Sequence, residues 1–287
     1  MKKDLLEDVG VHLLKKGYTV KTLTRTCFDL LARFETAILL IKVLEDANAI
    51  DKEYAKEMQR LAAYINGSPV IIAEKAGQKL ADNVVYSRFG IYTLNFHTFR
   101  NCIENKMPFI RQDHAGLKAV IKGKQLEEKM EEKGFSMNSL AHKMGVSRQM
   151  VQKYKEGSSE ITVQKAFKLY DLFGGTVFRR IDVFKEKTGI PDESKSDVSR
   201  KYMKLGFEAS DAHKVPFDVI AKKGKELILT KVGDKPNPQT QSLSRLLDAD
   251  NLIIFKKKKP KGIPAITKKE FLEFEEANEL IKFLKEF

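Results

Sequence analysis

The chain has 287 residues, of which 42% are hydrophobic and 32% are charged, a composition typical of an ordinary globular protein and unlike that of a disordered chain. The length favours more than one core, and no apolar run reaches the roughly 18 residues that a membrane-spanning helix requires. The formal net charge of +13 favours a polyanionic partner, although both signs are dispersed along the chain. Asp4, Glu7 and Asp8 stand where a signal peptide needs an apolar core, so we expect a cytoplasmic protein.

Residues 1–105 predict an α/β lobe. An amphipathic helix comes first, and three short strands follow, rich in β-branched and aromatic residues and separated by polar turns. A helix over residues 52–65, a strand over 70–73, a last short strand and a closing helix complete the lobe. The apolar positions of the first helix are Leu5, Leu6, Val9, Leu13 and Leu14. Cys27 and Cys102 have neither a metal-ligand nor a redox spacing, so we expect free, buried thiols.

Residues 106–123 predict a linker or hairpin, and residues 124–183 change to helical periodicity with few strand signals, which predicts an all-α domain. A helix over 124–133 comes before its central motif, and a helix over 162–173 closes its core. The apolar positions of that closing helix, all expected to face the core, are Val163, Ala166, Phe167, Leu169, Tyr170 and Leu172.

The central motif of this domain, residues 137–156, predicts two short helices that meet at a tight turn. Ser136 can cap the first helix, Gly145 supplies the positive φ of the turn, and Ser147 caps the second helix. Leu140, Ala141 and Met144 are expected to face inward, with Val151 between the helices and Tyr154 as a packing residue. Two short helices across a turn that contains glycine define a helix-turn-helix.

The last part of the chain repeats the first. After a linker at 184–193, residues 194–287 predict a second lobe, because residues 28–43 return as residues 217–232. Asp29 and Lys42 of the first copy correspond to Asp218 and Lys231 of the second, and the spacing within each pair is the same. Matching glycine and aromatic positions flank this block on both sides, so the chain is an internal repeat interrupted by the helical domain.

The lobe pattern, with Asp on the second strand and Lys on the third, resembles the restriction-endonuclease-like fold. Active members of that superfamily carry a further acid two residues before the Lys and use the carboxylates to hold Mg²⁺. Leu40 and Leu229 occupy that position here, and Mg²⁺ is rarely held by one carboxylate. We therefore expect neither catalytic residues, nor a metal, nor a cofactor in the lobes, and an Asp–Lys ion pair in each. The predicted fold class is α+β and multidomain: two degenerate restriction-endonuclease-like α/β lobes flanking an all-α helix-turn-helix domain.

The stretch from Leu140-Ala141 through Gly145-Val146-Ser147 to Tyr154-Lys155-Glu156-Gly157 resembles the helix-turn-helix of phage lambda repressor and Cro. That resemblance implies a recognition helix over 148–156 in the major groove of double-stranded DNA. Arg148 and Gln149 are the first candidates for base contacts, followed by Gln152 and Lys153, because their side chains match the hydrogen-bonding edges of guanine and adenine. Ser147 and Lys155 are the candidates for phosphate contacts.

The whole arrangement resembles an archaeal family of predicted helix-turn-helix transcriptional regulators, which implies DNA binding and regulation of transcription rather than an enzyme. One such domain reads few base pairs, so we expect a homodimer held by the lobes, with half-sites about 34 to 36 Å apart. Two alternatives remain open at this point. One is a metal-dependent nuclease or junction resolvase that uses Asp29 or Asp218, and the other is an adaptor that contacts the transcription machinery.

Overall fold

The computed structural model describes residues 2–185 and 194–287, so most of the predicted linker 184–193 lies outside the described residues. The chain divides into two compact units, one formed by Met1–Ile71 with Phe184–Phe287 and the other by Ile72–Val183. The predicted first lobe, residues 1–105, contributes to both units, and its boundary stays a prediction. No helix in the described part of the chain has the length and apolar content to cross a bilayer.

The first unit begins with the helix and the three strands that the sequence predicts. The elements are α1 (Lys2–Lys15), β1 (Thr19–Thr22), β2 (Leu30–Phe34), β3 (Ala37–Asp46) and, after a short 3-10 helix, α2 (Lys52–Tyr64). The strands pair in the antiparallel order β1-β2-β3, with Lys21 opposite Leu31. Helix α1 buries Leu5, Val9 and Leu13, which share one face, whereas Leu14, another apolar position of this helix, is exposed.

The chain passes into the second unit within β4 (Ser68–Ala76). Three strands, a helix and a hairpin follow: β5 (Gln78–Lys79), β6 (Val84–Arg88), β7 (Ile91–Leu94), α3 (Phe96–Ile103), β8 (Ile110–Asp113) and β9 (Gly116–Val120). Strand β6 pairs antiparallel with β7 and parallel with β8, and β8 pairs antiparallel with β9. The β8–β9 hairpin lies within residues 106–123, where a linker or hairpin was predicted, whereas the sequence analysis missed β5 and β6.

The helical domain of the second unit contains α4 (Gly123–Glu132), α5 (Met137–Met144), α6 (Arg148–Lys155), β10 (Glu160–Thr162) and α7 (Val163–Phe173). The sequence predicted an all-α domain, but the domain also contains a strand: β10 pairs antiparallel with β9 and buries Ile161 opposite Ala119. Helix α7 buries Ala166, Leu169 and Phe173, which lie one turn apart on a single face. Phe167 and Tyr170 point away from that face and are exposed, so their prediction as core residues was wrong.

The second lobe repeats the order of the first. Its elements are α8 (Asp197–Lys204), β11 (Glu208–Asp211), β12 (Val219–Lys223), β13 (Glu226–Val232), α9 (Pro238–Leu247), β14 (Asp250–Phe255), β15 (Ala265–Thr267), α10 (Lys268–Glu273) and α11 (Ala277–Lys285). The sheet order is β11-β12-β13-β14-β15, and α9 is the crossover between the parallel strands β13 and β14. The fully buried Tyr202 lies under this sheet, where its hydroxyl is 2.7 Å from Oγ1 of Thr230.

The two lobes contact each other within the first unit, and the contacts are reciprocal. Helix α2 of the first lobe contacts β12, the second strand of the second lobe, whereas the corresponding helix α9 contacts β1, the first strand of the first lobe, so the helix–strand contacts are similar and the equivalence lies in the hydrogen bonds. Glu57 on α2 accepts a hydrogen bond of 2.8 Å from the backbone N–H of His213, just after β11. Gln239 on α9 donates a hydrogen bond of 2.9 Å to Oγ1 of Thr24, just after β1.

A second pair of contacts also joins equivalent positions of the two lobes. Arg33, the fourth residue of β2, donates to the carbonyl of Leu246 at 2.7 Å and pairs with Asp248 at 2.6 Å, at the end of α9. Lys222, the fourth residue of β12, donates to Oδ1 of Asn66 at 3.0 Å, beyond the end of α2. Equivalent positions of the two lobes therefore contact each other in both directions, as the subunits of a two-fold symmetric dimer do. The repeat forms an internal pseudo-dimer.

Candidate nucleic-acid interface

The turn between α5 and α6 has the backbone conformation that the sequence predicts. Gly145 lies in the left-handed region at φ 62° and ψ 49°. A Cβ atom at this position would meet nothing within 4 Å. Glycine is therefore favoured here because of its positive φ and not because a side chain would clash. The backbone N–H of Val146 donates to the carbonyl of Ala141 at 3.0 Å and closes the end of α5.

Both helices of the motif are capped by serine, as predicted. Oγ of Ser136 accepts a hydrogen bond of 3.1 Å from the N–H of Ser139, and Oγ of Ser147 accepts one of 3.1 Å from the N–H of Met150. The residues that fix the angle between the helices are buried in one cluster: Leu140, Ala141, Met144, Val151 and Tyr154. The packing role predicted for Tyr154 is confirmed.

Burial of Val151 and Tyr154 turns the opposite face of α6 toward solvent. Ser147, Arg148, Gln149, Gln152 and Lys153 are all exposed, so the structure brings five of the six candidate DNA-contact residues together at one end and along one face of this helix. The side-chain amide nitrogen of Gln152 donates to Oε1 of Glu156 at 2.7 Å, which orients the amide along the helix.

Lys155, the sixth candidate, is held differently. Its ammonium group pairs with Oε1 of Glu127 on α4 at 2.7 Å, and only 21% of its side chain is exposed. The carbonyl of Lys155 also lies against Gly123, where a Cβ atom would stand 1.7 Å from that oxygen. The first turns of α4 therefore pack directly against the carboxyl end of α6, through Gly123 and Glu127.

Gly123 is a packing residue that the sequence analysis missed. The predicted helix begins at residue 124, so Gly123 fell in the predicted linker, where a glycine is common and gave no signal of the close backbone approach. Any side chain at this position would push α4 away from the recognition helix.

The predicted Asp–Lys ion pair forms in both lobes. Nζ of Lys42 lies 3.3 Å from Oδ1 of Asp29, whose Oδ2 accepts a 2.8 Å hydrogen bond from the N–H of Val43. In the second lobe, Nζ of Lys231 lies 3.0 Å from Oδ2 of Asp218, and the same oxygen accepts a 2.7 Å hydrogen bond from the backbone of Val232. The second pair lies beside an open cleft of about 650 Å³, whose lining includes Asp218.

The residues around these pairs do not fit a magnesium ion. The position that carries the second acid in active nucleases holds Leu40 and Leu229, and both are fully buried in apolar surroundings. Both oxygens of Asp29 already accept hydrogen bonds, one from a cation and one from a backbone N–H. Within residues 2–185 and 194–287, no group of three or more His, Cys, Asp or Glu side chains could hold a metal ion.

Both cysteines are free and buried, as predicted. Burial raises the pKa of the Cys27 thiol well above its usual range, with a further rise from nearby Glu57. Burial likewise raises the pKa of the Cys102 thiol to about 12. Neither thiol is therefore a nucleophile near neutral pH.

Comparison with protein families defines the class of the chain. Residues 126–177 match the helix-turn-helix family, and residues 2–108 match the PD-(D/E)XK superfamily domain, which is the restriction-endonuclease-like domain. The chain therefore combines a nuclease-like α/β domain with a helix-turn-helix domain, and the predicted α+β multidomain class is confirmed.

Relatives with the same arrangement occur in several archaea. The chain is 29% identical over 99% of its length to "Putative HTH-type transcriptional regulatory protein MJ1164" of Methanocaldococcus jannaschii, of which 96% is covered. It is also 29% identical over 98% of its length to similarly named proteins of Thermococcus kodakarensis and Archaeoglobus fulgidus, covering 94% and 97% of them. The resemblance to this archaeal family is confirmed. No solved structure matches the chain.

Proposed function

We propose that the chain is a transcriptional regulator that binds double-stranded DNA in a sequence-specific manner, with α6 in the major groove. The observation that carries the proposal is the exposed face of α6. This face presents Arg148, Gln149, Gln152 and Lys153 on a helix whose orientation is fixed by a capped turn and by the buried cluster between the two helices. The names of the relatives, which are called putative HTH-type transcriptional regulatory proteins, support this function.

The roles of the side chains follow from their positions. Arg148 and Gln149 lie in the first turn of α6, which is the part of a recognition helix that reaches the base edges. A bidentate contact of Arg with guanine, or of Gln with adenine, contributes about 1 to 3 kcal/mol of discrimination. Ser147 lies at the amino end of the helix and serves a phosphate. Lys155 serves as a weaker phosphate contact because Glu127 competes for its charge.

The experiment is selection of bound fragments from a random pool of double-stranded DNA, followed by gel-shift measurement of affinity. The test variant is Arg148→Ala with Gln149→Ala. The matched control is Lys168→Ala with Gln164→Ala, which removes one cation and one amide from the exposed surface of α7. We expect the test variant to lose about 2 to 5 kcal/mol on the selected site and the control to retain its affinity. Equal losses in both variants would mean that charge alone attracts DNA.

We further propose a homodimer, since two half-sites are needed for useful specificity. The lobe surface formed by α2, β12, α9 and β1 is already occupied within each chain. The dimer contact predicted for the lobes must therefore use a surface outside this pseudo-dimer interface. Sedimentation of the full chain with its selected site should give two chains per duplex, and one chain per duplex would contradict the dimer.

We propose that the lobes do not hydrolyse DNA, because each Asp is bound by its own Lys and lacks a second acid. Incubation of the selected duplex with Mg²⁺ or Mn²⁺ should leave it uncut. Cleavage that disappears in Asp29→Asn or Asp218→Asn would establish the nuclease alternative instead.

A further inference from the structure

The turn of the β6–β7 hairpin contains an unusual residue. Phe89 lies in the left-handed region at φ 46°, followed by Gly90 at φ 81°. Turns of this kind favour Asn or Gly at both central positions, and a bulky residue there is strained. Phe89 is 50% exposed, so burial offsets the strain only in part. A strained, exposed aromatic residue at a hairpin tip is a candidate for ligand contact.

Phe89 lines an open cavity of about 590 Å³, which we call the β6–β8 cavity. The volume falls in the range of small-molecule sites. Its lining includes three aromatic rings, two guanidinium groups and one imidazole: Tyr86, Arg88, Phe89, Tyr92, Arg111 and His114. The single carboxylate of its wall, on Asp113, pairs with Lys118 at 3.2 Å and accepts a 2.8 Å hydrogen bond from the backbone N–H of Ala115.

This lining fits a ligand that is both aromatic and anionic. Phe89 is exposed and Tyr92 is half-buried, and the rings of both line the cavity. Aromatic rings stack on nucleobases, and this contact tolerates any base. Guanidinium groups bind phosphate oxygens through paired hydrogen bonds. We propose that the β6–β8 cavity binds a nucleotide, with its base on Phe89 and Tyr92 and its phosphate on Arg88 and Arg111.

The cavity is connected to the recognition helix through one ion pair. Arg111 pairs with Glu160 on β10, five residues beyond the end of α6. Lys118 also approaches Glu160, at 3.6 Å. A phosphate bound by Arg111 competes with Glu160 for the same guanidinium group and changes how β10 is held. This second step rests on the proposed DNA-binding function, and it makes the nucleotide an effector of DNA affinity.

The first test is calorimetric titration of the full chain, without DNA, with AMP, GMP, CMP and UMP, and with inorganic phosphate as the comparison probe. We expect at least one nucleotide to bind more tightly than phosphate alone. Phe89→Gly removes the ring and relieves the strain, so the variant folds, and it should weaken binding about tenfold. Glu160→Gln releases Arg111 and should strengthen binding about threefold.

The matched control is Lys106→Ala, which removes an exposed cation of the same unit outside the cavity. It should leave the affinity unchanged. If no nucleotide binds at millimolar concentration, or if nucleotides bind no better than phosphate, the site is refuted. Equal binding by wild type and Phe89→Gly would refute the placement of the base.

The second test measures affinity for the selected DNA with and without the nucleotide. At a nucleotide concentration near the dissociation constant of the wild type, we expect the nucleotide to change the DNA affinity of the wild type much more than that of Phe89→Gly. An unchanged wild type overturns the effector role while the titration without DNA still reports on the site. If Phe89→Gly loses DNA affinity when no nucleotide is present, the cavity contacts DNA and the nucleotide proposal is wrong.

Discussion

The two lobes share one backbone frame around the Asp–Lys pair but differ in how far the pair is buried. In each lobe the N–H of the Asp donates a 2.8 Å hydrogen bond to the neighbouring strand, from Asp29 to Ile41 and from Asp218 to Thr230. The side chains of Asp29 and Lys42 are only 14% and 11% exposed. Those of Asp218 and Lys231 are 40% and 28% exposed.

This difference shows that the two lobes keep the same backbone frame while the burial of the Asp–Lys pair changes. In both lobes the carboxylate bridges the Lys on the third strand and a backbone N–H one residue later, so it closes the start of the second strand onto the third. The pair therefore has a structural role whose energetic value should depend on burial.

The largest expected effect tests this dependence directly. Asp29→Ala removes the carboxylate from the largely buried Lys42, which keeps its 3.1 Å hydrogen bond to the carbonyl of Thr26, and should lower the free energy of unfolding by about 3 kcal/mol. Asp218→Ala breaks a pair that water reaches and should cost less than about 1 kcal/mol. Urea denaturation of both variants gives the comparison, and equal losses would show that burial does not distinguish the lobes.

A smaller effect is expected at the reciprocal contacts between the lobes. Arg33 binds both a carbonyl and a carboxylate at the end of α9, whereas Lys222 binds a single amide oxygen beyond α2. Arg33→Ala should lower the free energy of unfolding by about 1.5 kcal/mol. Lys222→Ala should lower it by about 0.3 kcal/mol. The reverse order, measured in the same denaturation experiment, would argue against the contacts described.

Low pH should lower the stability of the second lobe through Asp211, a carboxylate that has no counterpart in the first lobe. Asp211, at the end of β11, corresponds to Thr22 at the end of β1. Burial raises the pKa of Asp211, but hydrogen bonds from the Ser196 hydroxyl and from the N–H groups of Ser196 and Lys195 outweigh it and hold the pKa below its usual value.

Because the pKa of Asp211 is lower in the folded state, its stabilisation is present above the unfolded pKa and is lost as the pH falls through the folded pKa. Asp211→Asn should therefore lower the free energy of unfolding by about 1 kcal/mol near neutral pH, and the gap to wild type should narrow below about pH 5. Denaturation midpoints measured across this range would contradict the assignment if the gap stayed constant.

The smallest expected signal is alkylation of the two thiols in the folded protein. Cys27 lies at the contact between the lobes, where its N–H donates to the carbonyl of Lys214 at 2.8 Å, and Cys102 lies in the other unit. Burial raises the pKa of both thiols, so little thiolate exists near neutral pH. Labelling followed by mass spectrometry should show reaction at Cys27 only when the first unit opens. Fast labelling of native Cys27 would mean that the lobes separate readily.

The sequence predicted the elements whose signals are local. The helix-turn-helix was recognisable because Gly145 and Ser147 have conformational roles that few other residues can fill. The repeat was visible because the Asp and Lys of each pair keep their spacing. Helix α7 was predicted, but periodicity alone did not decide which of its apolar residues, such as Phe167, would face solvent.

Features that depend on distant residues could not be predicted in this way. The approach of Gly123 to the carbonyl of Lys155 and the pairing of Lys155 with Glu127 both depend on how α4 crosses α6. The short strand β10 forms because β9 offers it a partner. The reciprocal contacts between the lobes join residues more than 150 positions apart, such as His213 and Glu57, whose separation is 156.

The covalent connection between the paired lobes removes a constraint that acts on true homodimers. Dilution cannot separate lobes that belong to one molecule, since each is held near the other at a fixed effective concentration. A substitution also changes only one side of the two-fold relation, whereas in a homodimer it appears twice. The contact from the N–H of Cys27 illustrates this freedom, because the corresponding residue of the second lobe is Pro216, which has no N–H to donate.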